Sequence, residues 1–165
     1  MLKPSNPQTF KNIEISESLT LFNINAESSE VVIKQLTALF EHHDYVHETY
    51  LKEVLKREKA MPTGLITKAG GIAIPHTDSE HVKQSAMAIA RLKTPVKFCN
   101  MANPAEQLDV NIVFLLAIAQ KEQVTTFLGK MAELFQNEHA FNKLLNIGNA
   151  TDFVAYLSSM IDTIE

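Results

Sequence analysis

The stretch at residues 110–119 constrains the fold of this chain more than any other, because it is apolar at nearly every position. A second apolar stretch lies at residues 86–92. Continuous apolarity in segments of this length is typical of strands that are covered on both faces. The sequence therefore predicts an α/β fold, in which a mixed, mostly parallel β-sheet is flanked by helices on both faces.

Helical spacing of apolar residues accounts for most of the remaining chain. Helices are predicted at residues 28–42, 47–59, 124–135, 141–145 and 152–164. The hydroxyl of Ser28 is suited to cap the first of them, and Ile164 is expected on the buried side of the last. Residues 19–24 alternate weakly and predict an edge strand. We expect one domain at residues 10–165, preceded by a flexible leader at residues 1–9.

Charge and cysteine content exclude several classes of function. A net charge of -4 disfavours nucleic acid as a partner, since binding to phosphate backbones needs clustered Lys and Arg. Cys99 is the only cysteine, so no internal disulfide can form. The first residues lack the apolar core of a secretion signal, and no apolar run reaches the roughly 20 residues of a bilayer span. We therefore expect a cytoplasmic protein without direct membrane insertion.

His76 lies where a side chain is held rigidly. The short apolar run that begins at Gly71 predicts a buried strand, and Pro75 fixes its end. Binding and catalytic residues are often found at strand ends in α/β sheets. An imidazole with a pKa near 6.5 is mostly neutral at about pH 7.5. A neutral ring nitrogen can attack phosphorus, whereas acyl transfer would need a Ser or Cys beside the histidine, and no such pair is evident. We interpret His76 as a nucleophile in phosphoryl transfer.

Arg57 is the best candidate to assist His76. It points in the direction of the buried side of its helix, and its planar charged fork suits a phosphoryl group. Two alternatives remain open: the side chain extends over the core, or it pairs with Glu53 one turn earlier. The hydroxyls of Thr63 and Thr77 are candidate donors to the same phosphoryl group.

A metal site is not expected. His81 follows His76 by five residues, but a zinc site usually needs three or four ligands. Neither Cys99 nor His139 stands at a spacing that would complete one.

Three short motifs occur in a specific order and spacing: Arg57-Glu58, Met61-Pro62-Thr63-Gly64-Leu65 and Gly71-Ile72-Ala73-Ile74-Pro75-His76. With the long apolar strand and the paired helices that follow, they resemble the enzyme IIA component of the fructose-mannitol class of bacterial sugar phosphotransferase systems. The resemblance covers roughly residues 17–160.

The resemblance implies a fructose/mannitol-type enzyme IIA fold and a defined role for two residues. His76 would accept a phosphoryl group on Nε2 from the histidine-containing phosphocarrier protein and pass it to a cysteine of enzyme IIB. Arg57 would help to bind that group. The membrane enzyme IIC would be an indirect partner, and no nucleotide, other cofactor or metal would take part.

One position departs from the pattern of the mannitol and fructose types, which carry a second histidine early in the helix after the long strand. Gln123 stands there in this chain. His81 and the segment Lys83-Gln84-Ser85-Ala86 are more similar to the galactitol-type branch. Gln123 would either hydrogen-bond the phosphoryl group or His76, or be a solvated side chain in the first turn of its helix.

Two other functions fit the same residues. The first is a regulatory module similar to the nitrogen-type branch, which binds a target protein and is switched by phosphorylation of the same histidine. Members of that branch tend to keep the second histidine, which counts against this function here. The second is a binding domain in which His76 is never modified.

Overall fold

A computed structural model describes residues 12–163 of the 165-residue chain. The predicted leader at residues 1–9 and Ile164 lie outside the described residues. In chain order the regular elements are β1 (Thr20–Ile24), α1 (Ser29–His42), α2 (Tyr50–Ala60), β2 (Gly64–Ile66), β3 (Gly71–Ala73), β4 (Ala86–Cys99), β5 (Gln107–Ala117), α3 (Lys121–Leu134), α4 (Glu138–Asn146) and α5 (Ala150–Asp162). None of these helices is long and apolar enough to span a bilayer.

The strands form one sheet in the order β1-β4-β5-β3-β2. Within the described residues, β1 pairs with β4 and β3 with β5 in parallel, while β4 pairs with β5 and β2 with β3 antiparallel. The mixed sheet is confirmed, although parallel pairing is less dominant than the sequence predicted. The reason is that β4 and β5 are joined by a short loop, which permits only antiparallel pairing. A continuous apolar run indicates that both faces of a strand are buried, but it does not indicate whether the neighbouring strands run parallel or antiparallel to it.

Helices cover both faces of the sheet, as predicted. Helices α1 and α2 pack with Ala88 and Leu115 on one face. Helices α3, α4 and α5 pack with Ile89 and Phe114 on the other. Successive residues of a strand point to opposite faces, so β4 and β5 contribute to both cores at once.

All five predicted helices are present, with boundaries that differ from the predicted ones by up to three residues; α3 begins at Lys121 and α4 at Glu138, each earlier than predicted. The Ser28 hydroxyl accepts a hydrogen bond from the Val31 amide at 3.2 Å and caps α1, as expected. Helix α2 begins at Tyr50 and not at residue 47, and the His47 amide donates to the His81 carbonyl at 2.9 Å. The last helix begins at Ala150, where Asn149 caps it.

Two features of the sheet were not predicted. Strand β2 is only three residues long, too short for a periodic pattern to be recognised. Strand β4 continues past residue 92 to Cys99, and its register with β5 shifts between Arg91 and Val96. The irregularity accommodates Pro95, which has no amide hydrogen to donate.

Candidate active site

The segment that carries His76 is tethered to the middle of the sheet. Strand β3 ends at Ala73, and the Leu116 amide of β5 then donates to the Pro75 carbonyl at 2.9 Å. The buried Tyr50 hydroxyl of α2 donates to the Leu116 carbonyl at 2.6 Å. His76 therefore follows a backbone whose position is set by both β5 and α2.

A backbone contact determines the tautomer of the His76 ring. Its Nδ1 lies 2.9 Å from the carbonyl oxygen of Ile74. A carbonyl can only accept, so Nδ1 must carry the proton and donate. The other ring nitrogen, Nε2, then holds the lone pair, and within residues 12–163 it makes no hydrogen bond. The ring presents one unprotonated nitrogen while only 9% of the residue is exposed.

The surroundings of His76 favour its neutral form. Burial lowers the pKa of the imidazole below its usual 6.5, and the positive charge of Arg57 lowers it further. The hydrogen bond to Ile74 and the negative charge of Asp78 act in the opposite direction, but the net shift is downward. At neutral pH the ring is therefore mostly uncharged.

His76 lines a cleft of about 450 Å³ at the end of the sheet where β3 and β5 terminate. The cleft is lined by Arg57, His76, Thr77, Asp78, Ser79, Glu80, Lys121, Val124 and Thr125. The last three belong to the first turns of α3 and were not predicted. Because β3 and β5 run parallel, the segments that follow them leave the sheet at the same end. Recognition of that pairing would have predicted that the start of α3 lies beside His76.

Arg57 is brought to His76, as predicted. It lines the same cleft, and its Nη1 lies 3.6 Å from Asp78 Oδ1, so its ionic partner is Asp78 and not Glu53. Its Nε is buried and has no hydrogen-bond partner among the described residues. The guanidinium thus lines the same cleft as His76 and keeps one N–H without a partner among the described residues.

The two threonines predicted to assist His76 differ in position. Thr77 is 6% exposed and lines the cleft. Thr63 is buried and is not part of the lining. Its hydroxyl donates to the Glu58 carboxylate at 2.9 Å and accepts from the Ile74 amide at 3.1 Å. Thr63 therefore supports the segment before His76 rather than facing the cleft.

His81 and Gln123 do not line the cleft. His81 Nδ1 lies 2.7 Å from the Thr49 hydroxyl, and its Nε2 lies 3.4 Å from a carboxylate oxygen of Glu80. Gln123 is only 1% exposed, so its interpretation as a solvated side chain is wrong. Gln123 lies in the first turn of α3 and its side chain is buried, whereas neighbouring residues of α3 line the cleft. Within residues 12–163, no three His, Cys, Asp or Glu side chains are grouped so as to hold a metal.

Comparison with known proteins relates this chain to EIIA proteins of the sugar phosphotransferase system. The family model described as "Phosphoenolpyruvate-dependent sugar phosphotransferase system, EIIA 2" matches residues 14–160. The chain is 32% identical over 163 residues to the transcriptional regulator ManR of Bacillus subtilis, a match that covers 94% of this chain and 24% of ManR. It is 32% identical over 78 residues to the galactitol-specific EIIA component of Escherichia coli, covering 47% of this chain and 51% of that protein. The matches thus span about a quarter and about half of these relatives.

Solved structures share the fold at low sequence identity. One is the complex of enzyme IIAMTL and phosphorylated enzyme IIBMTL from Escherichia coli, with a TM-score of 0.72 and 17% identity over 92% of this chain and 99% of the other. Another is the crystal structure of IIA mannitol from Escherichia coli, with a TM-score of 0.70 and 18% identity over 90% of this chain and 99% of the other. These similarities show that the chain has the mannitol-type IIA fold.

Proposed function

This chain belongs to the EIIA 2 family of the phosphoenolpyruvate-dependent sugar phosphotransferase system, and on that premise we propose that it carries a phosphoryl group on His76 in a sugar-uptake relay. The observation that supports this most is the hydrogen bond from His76 Nδ1 to the Ile74 carbonyl. It leaves Nε2 as a neutral nucleophile at a cleft that also holds Arg57. In this proposal the protein works in the cytoplasm.

In the first step the Nε2 lone pair attacks the phosphorus of a phosphohistidine on the histidine-containing phosphocarrier protein. A new P–N bond forms to His76 while the P–N bond of the donor breaks, and the electron pair of the broken bond returns to the donor ring. Each ring keeps its other N–H, so no proton has to move. Attack on a loose phosphoryl transition state mainly requires alignment and charge stabilisation.

Arg57 and the residues opposite it provide that stabilisation. The guanidinium donates to the phosphoryl oxygens through its terminal nitrogens, in place of its 3.6 Å ion pair with Asp78. Thr77 supplies a hydroxyl, and Lys121 supplies a second positive charge from the first turn of α3. Two cations and the helix terminus together balance a dianionic group without a metal.

In the second step a cysteine thiolate of enzyme IIB attacks the phosphorus. The P–S bond forms as the P–N bond of His76 breaks, and the electron pair returns to Nε2. We propose enzyme IIC as the indirect membrane partner and, from the similarity to the galactitol-specific component, a sugar alcohol as the transported substrate. Neither Gln123 nor His81 lines the cleft, so we assign neither of them a contact with the phosphoryl group.

The test is phosphoryl transfer with defined components. The protein is incubated with enzyme I, the phosphocarrier protein and labelled phosphoenolpyruvate, and the label is expected on His76 in an acid-labile, alkali-stable form. His76→Ala should abolish labelling and retain the fold, while His139→Ala, at an exposed position on α4, should label normally. Labelling that persists in folded His76→Ala contradicts the proposal. Addition of enzyme IIB should then remove the label.

A regulatory module is the second candidate. It is favoured by the similarity to ManR, a transcriptional regulator, over 94% of this chain. In that case phosphorylation of His76 changes binding to a target protein and the label does not pass to enzyme IIB. Retention of the label on His76 in the presence of IIB, with selective binding of one form by a protein outside transport, supports the regulator over the relay.

A further inference from the structure

The carboxylate of Glu58, near the end of α2, receives its hydrogen bonds from Thr63. The Thr63 amide donates to Oε1 at 3.0 Å, and the Thr63 hydroxyl donates to Oε2 at 2.9 Å. Burial raises the pKa of Glu58 to about 7, and both Thr63 hydrogen bonds oppose that rise. In its ionised form the Glu58 carboxylate can only accept, so it fixes the direction of the Thr63 hydroxyl proton.

The other side of the Thr63 hydroxyl holds the backbone before His76. Because its proton is given to Glu58, its oxygen is free to accept from the Ile74 amide, which lies 3.1 Å away. The carbonyl of the same Ile74 accepts from Nδ1 of His76 at 2.9 Å. Ile74 is 1% exposed, so water does not replace either contact.

We propose that Glu58 and Thr63 are positioning residues that hold Ile74 so that its carbonyl selects the Nδ1–H tautomer of His76. The inference rests on the proposed role of His76 as a phosphoryl acceptor and explains why Arg57 is followed by a glutamate. Without an acceptor at Glu58, the buried Thr63 amide loses its partner and the loop after α2 shifts. Ile74 then no longer presents its carbonyl to the ring in one orientation.

The first measurement is the tautomer of His76 in the unphosphorylated protein. Long-range ¹H–¹⁵N correlation spectra of protein labelled at histidine should show proton only on Nδ1 in the wild type. Thr63→Val keeps the shape of the side chain but removes both hydroxyl contacts, and it should give a mixture of Nδ1–H and Nε2–H forms. Thr63→Ser keeps the hydroxyl and should restore the wild-type signal.

The second measurement is the rate at which the same proteins accept a phosphoryl group. We expect Thr63→Val to be about 10-fold slower and Thr63→Ser to recover to within about 3-fold of the wild type. Thr37→Val is the matched control, since Thr37 is also fully buried but its hydroxyl donates to Ile33 inside α1 at 2.8 Å. It should change neither the tautomer nor the rate.

A folded Thr63→Val protein with only the Nδ1–H tautomer and an unchanged rate overturns the inference. If that variant does not fold, Glu58→Met decides the matter, since it removes both oxygens that accept from Thr63. A wild-type tautomer and rate in folded Glu58→Met would then exclude the positioning role. Absence of labelling in the wild type would refute the proposed function instead, while the tautomer spectra still test the positioning of His76.

Discussion

His76 is buried and yet presents one ring nitrogen at a cleft, and this combination determines its protonation. Burial and the nearby Arg57 lower its pKa below 6.5, so the ring gains a proton only at lower pH than an exposed histidine does. As the pH is lowered, the rate of phosphoryl acceptance should therefore reach half of its maximum only below pH 6.5. An NMR titration of the ring checks this, and His76→Gln identifies the signal. A midpoint at or above 6.5 would contradict the assignment.

The lowered pKa of His76 also makes the free energy of unfolding depend on pH. Below pH 6.5 the unfolded chain binds a proton at this histidine that the folded protein does not, so the contribution of His76 to the free energy of unfolding falls as the pH falls. Glu58 acts in the opposite sense. With its pKa raised to about 7, its contribution is complete below pH 4.5 and is lost as the pH rises to about 7.

Arg57 should be sensitive to a substitution that preserves its charge. Arg57→Lys replaces a planar fork by a point charge, and we expect phosphoryl acceptance to slow by about 10-fold or more, since the fork supplies paired hydrogen bonds. Single-turnover transfer from the phosphocarrier protein measures this. Lys52→Arg, an exposed position on the same helix, is the control. An unchanged rate in Arg57→Lys would mean that the guanidinium does not touch the phosphoryl group.

At the scale of elements, the short strand β3 depends on a close approach to β5. A Cβ at Gly71 would lie 2.2 Å from the backbone oxygen of Asp109, so the strand could not keep its place. Gly71→Ala should lower the free energy of unfolding by about 1–3 kcal/mol and weaken labelling of His76, because β3 leads directly to it.

Gly129 provides the matched control for that variant. It lies inside α3, and a Cβ there would have nothing within 4 Å. Gly129→Ala should stabilise the protein by about 0.5–1 kcal/mol, because alanine favours a helix interior more than glycine does. Urea denaturation of both variants compares them. A destabilised Gly129→Ala or an unaffected Gly71→Ala would contradict the packing described for these elements.

At the scale of the whole molecule, Arg91 of β4 joins parts that are far apart in the sequence. It donates to Asn23 Oδ1 at 3.2 Å, to the Leu144 carbonyl at 3.0 Å and to the carbonyl of Ile147. Its guanidinium also lies 4.2 Å from the centre of the Phe22 ring. This side chain therefore links the β1 edge of the sheet to the C-terminal end of α4.

Arg91→Met should keep much of the packing and lose all of these hydrogen bonds. We expect the free energy of unfolding to fall by about 2–4 kcal/mol, since buried carbonyls lose their donors. Chemical denaturation measures the loss. Labelling of His76 at low temperature should be retained, because Arg91 does not line the cleft. Wild-type stability in this variant would mean that the carbonyls find other donors.

Features that depend on neighbouring residues could be predicted from the amino-acid sequence. The Ser28 cap, the covered strands and the position of His76 after a short strand follow from local patterns of polarity and from Pro75. The motifs also indicated the family, because their order and spacing are properties of the chain alone.

The full set of groups that meet at the cleft could not be predicted, because it depends on contacts between distant segments of the chain. The entry of α3 into the cleft depends on the parallel pairing of β3 with β5, and the ion pair joins Arg57 of α2 to Asp78 in the segment after β3. The same holds for Thr63, which contacts Glu58 and Ile74 and does not line the cleft. The physical reason is that hydrophobic periodicity shows which face of an element is buried, whereas the partner of that face is chosen by packing between residues distant in sequence.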